Sequence, residues 1–521
     1  MKRQLVLHPF LFGLYPVLFL YSRNLNLDLG WGFVRPGLVV LGAITGLWLL
    51  LALGRVSREK AGLLISVGVL MLFSFGPVDD RLPAFTLSLG GLAFGKSKVL
   101  FALWTLMLGA AAFFIARASR DLSRATVIAN ATAAILIAFP LLTMLMNIRM
   151  PAEDSRVPEV TLVKQQVTRA RTALPHVYYI ILDGYGRADV LKELYDYDNA
   201  AFLDRLAELD FYIAEGSTAN YPQTVLSLAS SLNFRYLEDI AAGRSGSDDR
   251  EPLMDMIRRN GVMEHLRNYN YQFVAFTSGY SGAEIRDADV NLQYSGLTEF
   301  ESVLFNMTPF PEVLWALKLY DDWEVHRRRT MYILDHLADT TSLETPSFIF
   351  AHMISPHPPF VFGADGEKIH QREINAERFF TFADGADLAQ GPGLDEYRRS
   401  YSKQAEFIGG RIVTAIEQIM ANSRVPPIII LQGDHGPSSL LASDLSNPNE
   451  HNLRERLPIL NAYYLPGGAT EHLYPAITPV NSFRVVLNHF FDGDYEVLPD
   501  ANFFATWVAP YELEDVTDIV Q

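Results

Sequence analysis

The sequence predicts an α/β protein carried on an N-terminal domain of five transmembrane helices. Three observations predict it. Residues 1–150 hold long apolar runs and few acids. The remainder holds short β-branched and aromatic runs that end in Asp-Gly or Gly-Asp-His. The chain also combines a net charge of −16 with a mean hydropathy of +0.11, a pairing ordinary for an anchored protein and odd for a soluble one.

With 521 residues the chain has room for several domains. Its acidic balance argues against nucleic acid as a partner. It has no cysteine, which excludes disulfides, Cys-ligated zinc and a cysteine nucleophile, and which suits an oxidising compartment.

The apolar runs place spans at 5–22, 32–54, 61–77, 98–117 and 126–147. The stretch 82–95, apolar but broken by Gly90, Gly91 and Gly95, is expected to be interfacial or re-entrant. Basic residues set the orientation. Lys2 and Arg3, then Arg55, Arg58 and Lys60, then Arg117, Arg120 and Arg124 fall on one side of a five-span chain and mark the cytoplasm. Arg23, Arg35, Arg81, Lys96 and Lys98, with Asp79 and Asp80, fall on the other. Everything after 148 then lies outside the cytoplasm. The expected domains are 1–147 (transmembrane), 148–175 (a juxtamembrane linker helix, with Lys164, Arg169 and Arg171 near headgroups) and 176–521 (extracytoplasmic and catalytic). The spans carry few ionisable groups, so an ion or proton pathway is not expected.

Val177–Leu182 reads as a buried strand, and Asp183 stands at its carboxyl end, where ligands bind in α/β sheets. An Asp-Gly pair alone is equally a turn. A helix over 200–209 and a short strand at 211–214 follow. Then comes Ala219-Asn220-Tyr221-Pro222-Gln223-Thr224, which leads into an apolar helix with Thr224 in its first turn. Free amides and the positive end of the helix dipole would surround that hydroxyl, so Thr224 is a candidate nucleophile if its pKa is lowered.

A helix over 252–266, interrupted near Gly261, precedes a strand at 271–276 that ends in Thr277-Ser278-Gly279-Tyr280. The run His326-Arg327-Arg328-Arg329 reads most simply as a solvated helix face, with contact to a phosphate group as the alternative. Ser347–Met353 is a further strand, and Ser355-Pro356-His357-Pro358-Pro359-Phe360 holds His357 at its end. An imidazole there can bind a phosphoryl oxygen or protonate a leaving group, unless it is a structural loop residue. His352 lies inside the strand pattern and reads as packed or supporting. Residues 361–396 read as a long loop over the site.

An amphipathic helix over 402–420 leads to the strand 426–431 and then Gln432-Gly433-Asp434-His435-Gly436. Asp434 and His435 can both turn toward one ion. The expected ligand set is Asp183, the Thr224 oxygen, Asp434 and His435, three oxygens and an imidazole that suit Zn, Mn or Mg. His451 can join His357 around a substrate, or belong to a surface loop. A strand at 459–465 and a helix at 482–491 complete the domain.

In their order, these motifs resemble the sulfatase-like branch of the alkaline phosphatase superfamily. The nearest likeness is to membrane-bound lipoteichoic acid synthases and phosphoethanolamine transferases. The resemblance covers about 175–495, and the five-span anchor is similar too. Asp183 matches the first metal carboxylate, often glutamate in that family. Thr224 matches the nucleophile, and Asp434 and His435 the metal pair. His357 and His451 match the substrate-side histidines.

The resemblance implies an alkaline-phosphatase-like mixed sheet sandwiched by helices, in a multi-pass inner-membrane protein with a periplasmic catalytic domain. It implies one divalent metal ion and a phospho-threonine intermediate. A substituted phosphoryl group would pass from a membrane phospholipid donor to a glycan or lipid acceptor of the cell envelope. Formylglycine sulfatases modify a cysteine or serine where this chain has threonine, which speaks against sulfatase activity. Two other readings remain, a phosphodiesterase or phosphatase with water as acceptor, and a non-catalytic envelope-assembly protein of the same fold.

Overall fold

The computed structural model describes residues 5–23, 31–82, 86–89, 92–118, 121–148, 174–285, 288–294, 299–317, 322–369, 393–441, 445–446 and 448–520. The expected linker helix lies outside these residues, as does most of the expected covering loop. The chain forms two compact units, Met1–Ser155 with Leu297–Asp321, and Arg156–Gly296 with Asp322–Gln521.

The first unit contains α1 (His8–Arg23), α2 (Val34–Leu53), α3 (Arg58–Arg81), α4 (Lys96–Arg117) and α5 (Ser123–Ile148). Among the described residues, four helices are long and apolar enough to cross a membrane, α2 to α5. The first expected span is a helix too, but its 16 residues rise only about 24 Å against a hydrocarbon core of ~30 Å. A polar tie anchors its start: the Asn130 carboxamide oxygen accepts the Leu7 and His8 amides at 3.0 and 2.9 Å.

The broken stretch after α3 is a hairpin of β1 (Thr86–Leu89) and β2 (Leu92–Gly95). Helix α3 continues past the expected end of its span, because Lys96 donates to the carbonyls of Asp79 and Leu82 at 2.8 and 3.1 Å. The segment 297–321, expected in the outer domain, clusters with this unit instead. Its helix Glu299–Asn306 turns Phe300 and Leu304 onto Val17 of α1.

The second unit is built on a mixed seven-stranded sheet. Its strands are β3 (Val177–Leu182), β4 (Tyr212–Ile213), β5 (Gln272–Phe276), β6 (Val290–Leu292), β7 (Ser347–Met353), β8 (Ile428–Gln432) and β9 (Asn461–Tyr464). The spatial order is β4-β9-β8-β3-β7-β5-β6. The central strand β3 pairs in parallel with β7 and β8, so all three end at one rim. Strands β9 and β4 join antiparallel at one edge. Every residue of β3, β7 and β8 is buried, as expected when helices cover both faces.

Alternation sorts the side chains of β3. Tyr178, Ile180 and Leu182 pack under the helix Leu394–Asn422, whose Tyr401, Ile408, Ile412 and Ile416 form its buried stripe. Tyr179 faces the other way, onto Phe483 of the helix Pro479–Phe490, with ring centroids 5.0 Å apart. The buried Tyr179 hydroxyl needs a partner and donates to Gln432 Oε1 at 2.8 Å. It also lies 3.0 Å from Ser231 Oγ, which seats the helix Thr224–Ser231 on the sheet. The interruption expected near Gly261 is a real break: one helix ends at Arg258 and Asn260 caps the next, its Oδ1 accepting the Met263 amide at 2.8 Å.

Candidate metal centre

The parallel strands deliver polar residues to one rim. Asp183 follows β3 directly, and its amide extends the ladder to the Met353 carbonyl at 3.0 Å. The next residue, Gly184, has φ +71°, a conformation that side chains disfavour. That turn aims its amide at Asp434 Oδ1, 3.1 Å away. The His357 amide donates to the Asp183 carbonyl at 2.9 Å, so the loop after β7 is tied to the end of β3.

Thr224 is the first residue of its helix, which starts two residues later than Pro222, where the sequence pattern would begin it, because Gln223 is still extended at φ −119° and ψ 135°. The Gln223 side chain donates to the carbonyls of Ala505 and Thr506 at 3.0 and 3.1 Å and holds this entry. From the next turn, Ser227 Oγ donates to the Asp434 carbonyl at 2.7 Å. That bond ties the helix to the loop after β8.

Four atoms converge. Thr224 Oγ1 lies 3.2 Å from His435 Nε2. The same nitrogen lies 3.4 Å from Asp434 Oδ2 and 3.6 Å from Asp183 Oδ1. His435 Nδ1 donates to the Gly436 carbonyl at 3.0 Å, which makes Nε2 the lone-pair nitrogen. Asp183 Oδ1 and Asp434 Oδ2 are buried and have no hydrogen-bond partner among the described residues. Two orphaned carboxylate oxygens, an imidazole lone pair and a hydroxyl fit a divalent cation, since buried anionic oxygens otherwise carry a large desolvation cost.

Geometry also groups Asp183, His352 and Asp434, with ligand atoms within 4.8 Å of one another. This set and the expected one share the two carboxylates and differ in the histidine. His352 Nε2 faces Asp183 Oδ2 at 2.9 Å, so that nitrogen carries the proton and donates it. We therefore place His352 behind the carboxylate as its orienting partner, and His435 on the inner side. Burial raises the Asp183 pKa, but the nearby His357 and the hydrogen bond from His352 outweigh it. The net result is a carboxyl held well below its ordinary range.

The remaining expected residues divide. His357 is buried, its ring 6.1 Å from that of His435, with Nδ1 donating to the Pro358 carbonyl. His451 is exposed, in the first turn of the helix Glu450–Arg456, and no contact among the described residues brings it to the centre. The opposite face of that helix points inward. Arg456 is buried and donates to the carbonyls of Pro222 at 2.8 Å and Gly436 at 3.2 Å. Its Nη2 reaches His435 Nε2 at 3.2 Å. Beside it, the buried Glu455 accepts the Ser439 and Leu440 amides and the Tyr195 hydroxyl, which fastens the loop after His435.

Sequence reasoning passed over Arg456. The spacing of Leu453 and Leu457 predicts an inward face that Arg456 shares and His451 does not. The run at 326–329 is not simply solvated either: His326 and Arg329 are buried, while Arg328 is exposed. Arg329 lies against Gly279, in the loop after β5.

The family model described as Sulfatase matches residues 175–487, more than half of the chain. Similar solved structures include the C-terminal periplasmic domain of EcEptC from Escherichia coli in complex with Zn. That pair has 12% identity and a TM-score of 0.43, over 67% of this chain and 97% of that one. The phosphonate monoester hydrolase of Agrobacterium radiobacter is similar at 15% identity and a TM-score of 0.41, over 64% and 80%. The integral membrane lipooligosaccharide phosphoethanolamine transferase A (EptA) from Neisseria meningitidis is similar at 11% identity and a TM-score of 0.38, over 93% and 95%. No curated protein matches the chain.

Proposed function

The chain belongs to the sulfatase family, and from that premise we propose that it is a metal-dependent transferase acting through Thr224. It moves a substituted phosphoryl group, such as phosphoglycerol or phosphoethanolamine, from a membrane phospholipid to a glycan or lipid of the cell envelope. The observation that carries this reading is the convergence of Thr224 Oγ1, Asp183 Oδ1, Asp434 Oδ2 and His435 Nε2 at one sheet rim. A divalent ion (Zn, Mn or Mg) held by those four atoms supplies a lowered threonine pKa and neutralises charge on the phosphoryl oxygens when bound.

The chain's own residues do the rest. Thr224 gives up its proton to water, and Oγ attacks the phosphorus as the bond to the diacylglycerol oxygen breaks. His357, protonated on Nε2, gives that proton to the departing oxygen. In the second half an acceptor hydroxyl returns a proton to His357 and attacks the phospho-threonine, and Thr224 Oγ leaves. Arg456 holds the Pro222 and Gly436 carbonyls and sets a buried cation beside the nucleophile. The absence of cysteine, and threonine at the nucleophile position, favour phosphoryl over sulfate chemistry.

The membrane arrangement belongs to the same proposal. Residues 5–7 before α1 can span up to about 10 Å, enough to complete a fifth crossing. Leu5 and Leu7 are exposed, as residues facing lipid are. An odd number of crossings puts the catalytic unit on the periplasmic side, opposite the basic clusters.

The test is mass spectrometry of the Thr224 peptide after incubation of the reconstituted, metal-loaded protein with phospholipid. The expected result is an adduct with the mass of the transferred group, absent in Thr224→Ala. No adduct in metal-loaded protein would overturn the proposal. Release of the group to water, unchanged by candidate sugars, would make the protein a hydrolase.

A further inference from the structure

Within the membrane unit, α1, α2, α3 and the segment 301–310 line a half-open apolar cavity of about 440 Å³. That volume falls in the ~300–1,000 Å³ range of small-molecule sites. Its wall on α2 runs from Arg35 to Leu47, twelve residues or about 18 Å along the axis. Its floor on α3 includes Leu64, Gly68 and Phe73. The cavity is therefore long and narrow rather than round.

We propose that this cavity holds one acyl chain of a membrane phospholipid, with Arg35 on the phosphate. Three observations select that occupant. Two of the walls, α2 and α3, are helices long and apolar enough to cross a membrane, and the outer face of α2 exposes Leu38, Leu50 and Leu53, so lipid tails are the surrounding phase. The charge sits at one end of an otherwise apolar space, the pattern of a lipid with its headgroup. That end is Arg35, two-thirds exposed, 3.3 Å from the buried Glu301. The guanidinium keeps donors to spare beyond one carboxylate contact, and its planar fork suits phosphate.

Gly68 supplies the handle for a test. It lines the cavity, and a Cβ built on it meets nothing within 4 Å, so a larger side chain enters the space without a backbone clash. Replacing glycine inside a helix also favours the helix.

That the bound lipid is the phosphoryl donor rests on the function proposed above, whereas occupancy by an acyl chain does not. The experiment uses the full chain in nanodiscs of phosphatidylethanolamine and phosphatidylglycerol. The probe is a phosphatidylethanolamine with a diazirine near the end of one acyl chain. After irradiation, peptides containing 64–73 and 301–310 are expected to carry about tenfold more label than the outward Phe114 of α4. Gly68→Trp should abolish that excess and leave Phe114 labelling unchanged. Gly68→Leu, a milder filling, should reduce it in part, and it decides the matter if the tryptophan variant does not fold. Arg35→Gln should remove the preference for the phospholipid probe over the matching diacylglycerol probe.

Equal labelling of cavity and outward residues, or an excess left undiminished in a folded Gly68 variant, would overturn the inference. Thr224→Ala should label normally while forming no adduct. Cavity labelling without any adduct in the wild type would therefore sink the transferase reading and leave the lipid site standing.

Discussion

The Thr224 hydroxyl lies 3.2 Å from Nε2 of His435, although 211 positions separate the two residues. Two tethers make the distance a property of the fold. Ser227 binds the Asp434 carbonyl, and Arg456 spans the Pro222 and Gly436 carbonyls. The approach of hydroxyl and imidazole is set by backbone contacts on both sides.

His352→Gln should weaken divalent metal binding about 10–100-fold with the fold intact, because it disturbs the hydrogen bond that orients Asp183. Competition with a metal-indicator dye measures this. Asp434→Asn should lose metal more completely, since it removes one of the two orphaned carboxylate oxygens.

Arg456→Met should cost about 2–4 kcal/mol of stability, because two buried carbonyls lose their charged donor. Turnover should fall in the same variant. Arg456→Lys should keep the charge but not the forked contacts, and should recover only part of either quantity. Thermal unfolding and kcat read the two effects separately.

Gly436→Ala should displace the metal pair. A Cβ there would stand 2.4 Å from the Glu455 carbonyl oxygen and 2.9 Å from that of Pro458, and backbone atoms do not step aside. The expected cost is about 1–3 kcal/mol, with metal affinity falling as well. Gly410→Ala, on the helix Leu394–Asn422 with nothing within 4 Å, is the control. It should be neutral or stabilising by up to about 1 kcal/mol.

Acid should destabilise the catalytic unit through His326. Burial, with Arg329 and His357 nearby, lowers its pKa to about 3. The unfolded chain takes up a proton below about pH 6.5 while the native side chain stays neutral. Stability is therefore complete above that pH and falls by about 1.4 kcal/mol for each unit down toward 3. His326→Gln should flatten the slope of urea midpoints between pH 7 and 5. Asp183 acts at lower pH. Its depressed native pKa adds stability above the ordinary carboxylate range, ~3.9, which is lost as pH falls through the native value.

Much of the candidate site was legible in the chain. Runs such as Val177–Leu182 and Ser347–Met353 are largely apolar and buried throughout because both faces of a parallel strand are covered, so their ends could be read off closely. Asp183, Asp434, His435 and His357 stand at or just beyond such ends, where a polar residue has little packing role. Thr224 was legible because a polar run gives way abruptly to a helix whose every residue is buried.

What local pattern could not decide was adjacency. Nothing in a strand's own residues says that β3 lies between β7 and β8, and that order is what brings His352 against Asp183. His451 and Arg456 share one helix, and the packing of Leu453 and Leu457 turned the arginine inward and the histidine out. The segment 297–321 carries apolar residues that suit either unit, and its contacts with Val17 and Arg35 assigned it to the membrane helices. Composition and periodicity determine which residues must be buried and where chain ends meet solvent, because those are local free energies. Which buried residue faces which depends on long-range packing, and only the folded chain decided it.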